Sequence, residues 1–225
     1  MVEKSKTSRS VVIILLAAGG STRMMGADKL VRSIGAESLL RKAAREACAS
    51  DARRILVVLR PGDSARREAL AGLKLEIIEN AHWTTGMSSS IQAGLNAAQH
   101  DATAAIIALA DMPQITAADF NRLIRAHEAG TLGTICRATA EDGTPGHPVL
   151  FGSAHFERLR NLSGDQGARA ILGAHSGLIV PVVLKGDRAL SDLDTPRDWE
   201  RYLGRRSGRS NRDDPGGTSK SLKEV

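Results

Sequence analysis

The chain predicts an α/β fold, doubly wound around a mainly parallel sheet with helices on both faces, and three observations carry that expectation. Short apolar runs rich in β-branched residues recur along it, amphipathic helical periods fall between them, and Gly, Asp and Pro gather where the runs end. Strands alternating with helices imply βαβ units, whose crossovers cover both faces of a sheet. The first run, VVIILL at 11–16, is stopped by Gly19 and Gly20 and reads as a strand buried on both sides. Runs at 54–59, 75–78, 104–109 and 178–183 repeat it, and Cys136 lies in a further strand-like stretch. One helix is predicted where Leu39, Leu40, Ala43, Ala44, Ala47 and Cys48 form a stripe opposite Arg41, Lys42, Arg45 and Glu46. Phe120, Leu123, Ile124 and His127 mark another, preceded by Thr116 and Asp119 at capping-box spacing.

A chain of 225 residues suits one core, since a domain of this size buries roughly 70% of its unfolded surface. Aromatic residues make up only 3%, which leaves few platforms for stacking single-stranded nucleic acid. The net charge of +6 points the same way once it is located: residues 1–10 carry +2 and residues 204–225 carry +3, leaving +1 for the body. A near-neutral body lacks the electrostatic footprint of a nucleic-acid-binding domain, so no nucleic-acid partner is expected. Residues 1–10 read as a disordered basic segment and 204–225 as a disordered tail, because almost no apolar residue is present there to offset the entropy of ordering. Cys48 and Cys136 are far apart and lack metal-ligand spacing, so both read as small buried hydrophobes. The first apolar run falls short of the ~18–20 residues of a bilayer span and no cleavage site follows it. No membrane partner and a reduced, cytoplasmic setting are therefore expected.

In doubly wound sheets ligands collect beyond the carboxyl ends of the strands. The segment LAAGGSTRMMGADK at 16–29 leaves the first strand through small residues, where backbone N–H groups can approach an anion. Arg23 and Lys29 add fixed positive charge, and together these features suit a triphosphate. G-x-x-x-x-G-K-[ST] and G-x-G-x-x-G are both absent, and Glu37 precedes a helix where a dinucleotide site needs a carboxylate ending the second strand. Asp111, in ADMP, follows a buried strand, and Asp194, in DLDTP, lies in a similar turn with Asp192 as its competitor. Two carboxylates from different strand ends can hold Mg²⁺ while phosphate oxygens and water complete its shell. Equally, Asp111 can open a turn and Asp194 can cap the helix beginning at Pro196. The run Ser88, Ser89, Ser90 most simply caps the helix that follows and also suits contacts to a nucleotide. Five histidines, at 82, 100, 127, 155 and 175, show no ligand spacing.

The first loop resembles that of the molybdopterin nucleotidyltransferase family, L-A-[AG]-G-x-x-x-R-M-G followed closely by Lys. GMSSSI at 86–91, ADMP at 110–113, GHPVLF at 146–151, GDQGAR at 164–169 and DLDTP at 192–196 follow in the family's order, so the resemblance covers 11–203. One departure is Met25, where relatives with the same Arg-to-Lys interval carry Gly. The resemblance implies a Rossmann-like nucleotidyltransferase domain that moves CMP from CTP to the terminal phosphate of molybdopterin, with Mg²⁺ or Mn²⁺ as cofactor and a molybdoenzyme as eventual recipient. It assigns Ala17, Ala18, Gly19, Gly20, Ser21, Arg23, Lys29, Gly86, Ser88, Ser89 and Ser90 to the nucleotide. Asp111 and Asp194 take the metal, Arg23 and Lys29 act with them in catalysis, and His147 and Arg169 face the acceptor. Ala18 resembles the CTP-using form of the turn, L-A-A-G, against L-A-G-G in users of GTP. Alternatives are a transferase using GTP or a sugar or polyol phosphate, and an oxidoreductase, since some members of the wider family carry that description.

Overall fold

The computed structural model describes residues 10–20, 28–98, 102–164 and 168–210, the last six of them by backbone alone. Strands β1 (Val11–Leu16), β2 (Arg54–Leu59), β3 (Glu76–Glu79), β4 (Ala104–Leu109), β5 (Ile135–Thr139), β6 (Pro145–Gly152) and β7 (Ile179–Val183) form one sheet. Its order is β3-β2-β1-β4-β6-β5-β7. All neighbours are parallel except β6, which runs antiparallel to both β4 and β5. The expected doubly wound sheet is thus present, with β5 foreseen only at Cys136 and β6 not foreseen. Arg137 interrupts the apolar run of β5, and Pro145 and Pro148 punctuate β6, so neither shows the uninterrupted pattern of the other strands.

The helices are α1 (Leu39–Cys48), α2 (Ser64–Ala69), α3 (Met87–Ala98), α4 (Ala117–Glu128), α5 (Phe156–Arg160), α6 (Arg169–Ala174) and α7 (Pro196–Ser210). Alternation along β1 divides the core: Val11, Ile13 and Leu15 pack with α1 and α4, whereas Val12 and Ile14 pack with α3, α5 and α6. The stripe predicted for α1 is buried at Leu39, Leu40, Ala43, Ala44 and Ala47, and Ser38 caps its first turn. Thr116 and Asp119 form the expected capping box on α4, with the Thr116 N–H and hydroxyl both donating to the Asp119 carboxylate. Gly94 lets α3 lie directly on β1, because a Cβ there would come within 2.3 Å of Ile14. Helix α7 runs to Ser210 from a first half anchored by buried Trp199. Residues 1–9 and 211–225, where disordered segments are expected, lie outside the described residues.

The chain builds β1, β2 and β3 outward in one direction, then crosses through α3 to place β4 on the other side of β1. That reversal opens a crevice beyond the carboxyl ends of β1 and β4, where a ligand site is expected in such sheets.

Candidate active site

A cleft of about 580 Å³ occupies this crevice. Its walls include Ala17, Ala18, Gly19 and Gly20 from the turn after β1, Lys29, Asp111 after β4, Asp192 and Asp194 before α7, and Trp83, Gly86 and Ser90. Ser21, Arg23 and Met25 lie outside the described residues.

The charged centre of the cleft is a lysine between two carboxylates. Lys29 Nζ lies 2.7 Å from Asp111 Oδ2 and 2.5 Å from Asp194 Oδ1, although the three residues are widely separated in sequence. Burial alone would lower the Lys29 pKa, but the charges and hydrogen bonds of Asp111 and Asp194 prevail and raise it, so the ammonium is charged. Thr195 N–H and Oγ1–H donate to Asp198 Oδ2, and the Asp198 N–H returns to Thr195 Oγ1, so the Thr195–Asp198 pair caps the first turn of α7 while the Asp194 carboxylate meets Lys29 in the cleft. Asp111 likewise turns the chain with its backbone, its carbonyl accepting from Leu193 N–H at 3.0 Å, and leaves its carboxylate to the cleft. Burial pushes the third carboxyl, Asp192, up, and the charges of Asp111 and Asp194 push it further.

The donor set suits a hard divalent cation. Asp111 Oδ1 is buried and has no hydrogen-bond partner among the described residues, although a carboxylate oxygen in such a place needs one. No group of three or more His, Cys, Asp and Glu suited to a metal occurs among the described residues. Asp111 and Asp194 are the carboxylates that would hold such an ion, with phosphate oxygens and water completing an octahedral shell.

The serine run differs from its expected role. Ser88, Ser89 and Ser90 lie within the first turn of α3 and are buried, so they do not precede the helix as caps. Ser90 lines the cleft, whereas Ser88 and Ser89 sit behind it. Ser89 Oγ lies 2.9 Å from the His82 carbonyl and 2.8 Å from that of Gly86, and Asn80 Nδ2 donates to Ser89 and Ser90 at 2.8 and 3.0 Å. The Ser89 hydroxyl thus holds the turn that carries Trp83 and Gly86, and Gly86 itself has φ 110°, a conformation suited to glycine.

A second cavity of about 380 Å³ adjoins the first and shares Met87, Leu109 and Asp192 with it. His147 and Arg169 both line it, and so does Arg137, which the sequence reading did not single out. Arg137 Nε donates to the Gly146 carbonyl at 3.2 Å, but neither arginine has a carboxylate partner among the described residues. Burial lowers the Arg137 pKa and the charge of Arg169 lowers it further. Burial also depresses His147, with Arg137 and Arg169 adding to the effect and Asp111 opposing it, so the imidazole is neutral at neutral pH.

Two further residues escaped the sequence reading. Trp83, one of only two tryptophans and three residues ahead of GMSSSI, offered a signal. Arg66 offered none: its helix reads SARREA, an exposed-looking string, yet the side chain is fully buried beneath the Gly turn.

The profile of the MobA-like NTP transferase domain matches residues 13–178, most of the chain. The chain belongs to that family. Among relatives of this MobA-like protein, nicotine blue oxidoreductase from Paenarthrobacter nicotinovorans is 27% identical over 84% of this chain and 95% of that protein. Purine catabolism protein PucB from Bacillus subtilis is 27% identical over 84% of this chain and 94% of its own length. The crystal structure of Rv0371c from Mycobacterium tuberculosis superposes with a TM-score of 0.75 at 26% identity, covering 88% of this chain and 99% of that one. A manganese complex of Rv0371c shares the fold at a TM-score of 0.73 and 24% identity, covering 87% and 98%. Membership of the family makes the protein a nucleotidyltransferase with a nucleotide substrate, and the superposition gives it the shared Rossmann-like fold. Among the described residues no helix is long and apolar enough to cross a membrane.

Proposed function

We propose that the protein transfers CMP from CTP to the terminal phosphate of molybdopterin, releasing pyrophosphate, with Mg²⁺ or Mn²⁺ held by Asp111 and Asp194. The observation that carries the reading is the pairing of two adjoining cavities: one centred on Lys29 and two carboxylates, the other on cations without carboxylate partners among the described residues. A triphosphate in the first and a phosphorylated acceptor in the second would meet beside Asp111 and Asp192. An attacking phosphate monoester has its second pKa near ~6 and is largely ionised at neutral pH, so no general base is needed. Catalysis then consists of bringing two anions into line and stabilising charge on the departing pyrophosphate. When bound, the divalent ion supplies charge neutralisation at the phosphate oxygens. Lys29, Arg23, Gly20 and Ser21 serve the triphosphate, Gly86 and Ser90 the nucleotide, and His147 and Arg169, joined by Arg137, the acceptor. Neutral His147 offers a hydrogen bond there without adding a third positive charge.

The CTP preference is supported by Ala18, which is buried and contributes to the cleft wall. Its methyl fills space that glycine would leave for a purine. The test is a pyrophosphate-release screen of four nucleoside triphosphates against molybdopterin and several sugar and polyol phosphates. CTP with molybdopterin is the expected pair; faster turnover with GTP or with a sugar phosphate would replace this reading by the corresponding transferase.

A further inference from the structure

We infer that Arg66 is a positioning residue for the nucleotide's phosphates: from behind the Gly turn it holds the peptide groups that present Ala18 N–H and Gly20 N–H to the cleft. The inference rests on reading the cleft as the nucleotide site. Arg66 is completely buried on α2, and four of its five N–H bonds find acceptors on the loop in front of it. Nε and Nη2 grip Asp28 as a fork, at 2.8 Å to Oδ2 and 2.9 Å to Oδ1. Nη1 donates to the Ala17 carbonyl at 2.6 Å, and Nη2 to the Gly19 carbonyl at 2.8 Å.

The two carbonyl contacts distinguish this arrangement from a stabilising ion pair. Asp28 and Asp63 already supply carboxylates to the guanidinium, Asp63 at 3.2 Å, and burying charge is a poor route to stability when apolar packing would serve. What the fork adds is orientation. In a trans peptide the C=O of one residue and the N–H of the next point in opposite directions. With the Ala17 and Gly19 carbonyls turned toward Arg66, the N–H groups of Ala18 and Gly20 must face away from it. Ala17 through Gly20 line the cleft and Arg66 does not, so away from Arg66 means toward the ligand. Neither N–H has an acceptor among the described residues. Two such donors, spaced one residue apart, suit the oxygens of a phosphate chain.

The same guanidinium ties this turn to the lysine. Burial alone would raise the Asp28 pKa, but the hydrogen bonds and charge of Arg66, with the Leu30 N–H and Arg60, hold it below the usual carboxylate range. Asp28 therefore stays ionised and anchored, and it is the chain neighbour of Lys29. One buried side chain thus sets the separation between the backbone donors and the lysine that must act on the same triphosphate.

Arg66→Lys keeps the charge but cannot reproduce the fork, and Asp28→Asn weakens the anchor while leaving the carbonyl contacts in place. Binding of CTP, of GTP and of inorganic tripolyphosphate is measured by calorimetry on the full chain, with circular dichroism as the check on folding. In Arg66→Lys the Kd for all three should rise by roughly tenfold, the scale of misplacing hydrogen bonds to a charged group, and in Asp28→Asn by less. KM for the acceptor and the ratio of CTP to GTP affinity should stay at wild-type values, since neither senses the phosphate donors alone. A folded Arg66→Lys or Asp28→Asn protein that binds tripolyphosphate like wild type overturns the inference, as does an equal loss in acceptor KM, which would mark a merely structural residue. If Arg66→Lys fails to fold, Asp28→Asn decides. Failure of the wild-type protein to bind CTP or tripolyphosphate would instead sink the nucleotide reading of the cleft, and the two failures are told apart in the same experiment.

Discussion

The two cavities differ in how their charge is balanced before any ligand arrives. Among the described residues, the cations around the Gly turn are paired with carboxylates: in the cleft Lys29 sits between Asp111 and Asp194, and behind the turn Arg66 sits between Asp28 and Asp63. In the adjoining cavity burial and then the charge of Arg169 lower the Arg137 pKa, burial and then both arginines lower that of His147, and neither arginine has a carboxylate partner among the described residues. On the proposed function, the first arrangement would be preorganised, its side chains held where charge develops, as electrostatic catalysis requires, and the second would be completed by the anionic acceptor. Substitutions in the cleft should therefore damage turnover, and those in the second cavity should damage acceptor binding while leaving stability intact.

The largest effect is expected at the carboxylates. Asp111→Asn or Asp194→Asn should lower turnover by about a hundredfold or more, given that even the outer partners of metal ligands are worth 10–100-fold. Both proteins should fold, because both carboxylates line the cleft and an amide keeps their shape. Activity titrated against Mg²⁺ and Mn²⁺ is the measurement; near-normal turnover at limiting metal would exclude that residue as a ligand, and for Asp194 would move attention to Asp192.

Arg137→Gln sharpens the contrast from the other side. Acceptor KM should rise by roughly tenfold, the value of one hydrogen bond to a charged partner, with KM for CTP unchanged. Tm should stay level or rise, because a half-buried cation beside another cation has been removed. A fall in Tm of several degrees would show that Arg137 serves the fold and that the two cavities are not built differently.

Ala18→Gly tests the cleft wall with a smaller effect. One methyl is worth about 1–3 kcal/mol at most, so the ratio of kcat/KM for CTP over GTP should fall by roughly tenfold without reversing. An unchanged ratio would move base recognition to the turn carrying Trp83 and Gly86.

The smallest effect concerns His147. Its folded pKa lies below its ordinary value, so between that value and about 6.5 the unfolded chain binds a proton that the native protein does not. Native stability contributed by the neutral imidazole is complete above about pH 6.5 and is lost as pH falls through the folded pKa. Urea denaturation at pH 7.5 and 5.5 should show a steeper loss for wild type than for His147→Gln. Parallel losses would mean that neither burial nor the cations of the second cavity depress His147.

What the sequence by itself determined follows from local pattern. Uninterrupted apolar runs marked β1, β2 and β4, stripes of period 3.6 marked α1 and α4, and turn chemistry placed Asp111 and Asp194 beyond strand ends, because each of these signals is written in neighbouring residues. It could not separate a helix cap from a cleft carboxylate at Asp194, since both require an acid before Pro196. The Thr195–Asp198 pairing made that decision. Nor could it show that Ser88 and Ser89 turn inward, that Arg137 opens into a cavity, or that Arg66 is buried. A strand residue's surroundings depend on which strands lie beside it, and β5 borders β6 and β7 only after the chain has crossed the sheet. Arg66 reaches Ala17, Gly19 and Asp28 across dozens of residues, a contact created when α2 docks behind the turn after β1. Short-range periodicity records which face of an element is apolar; only the packed structure records what that face, or its exceptions, will meet.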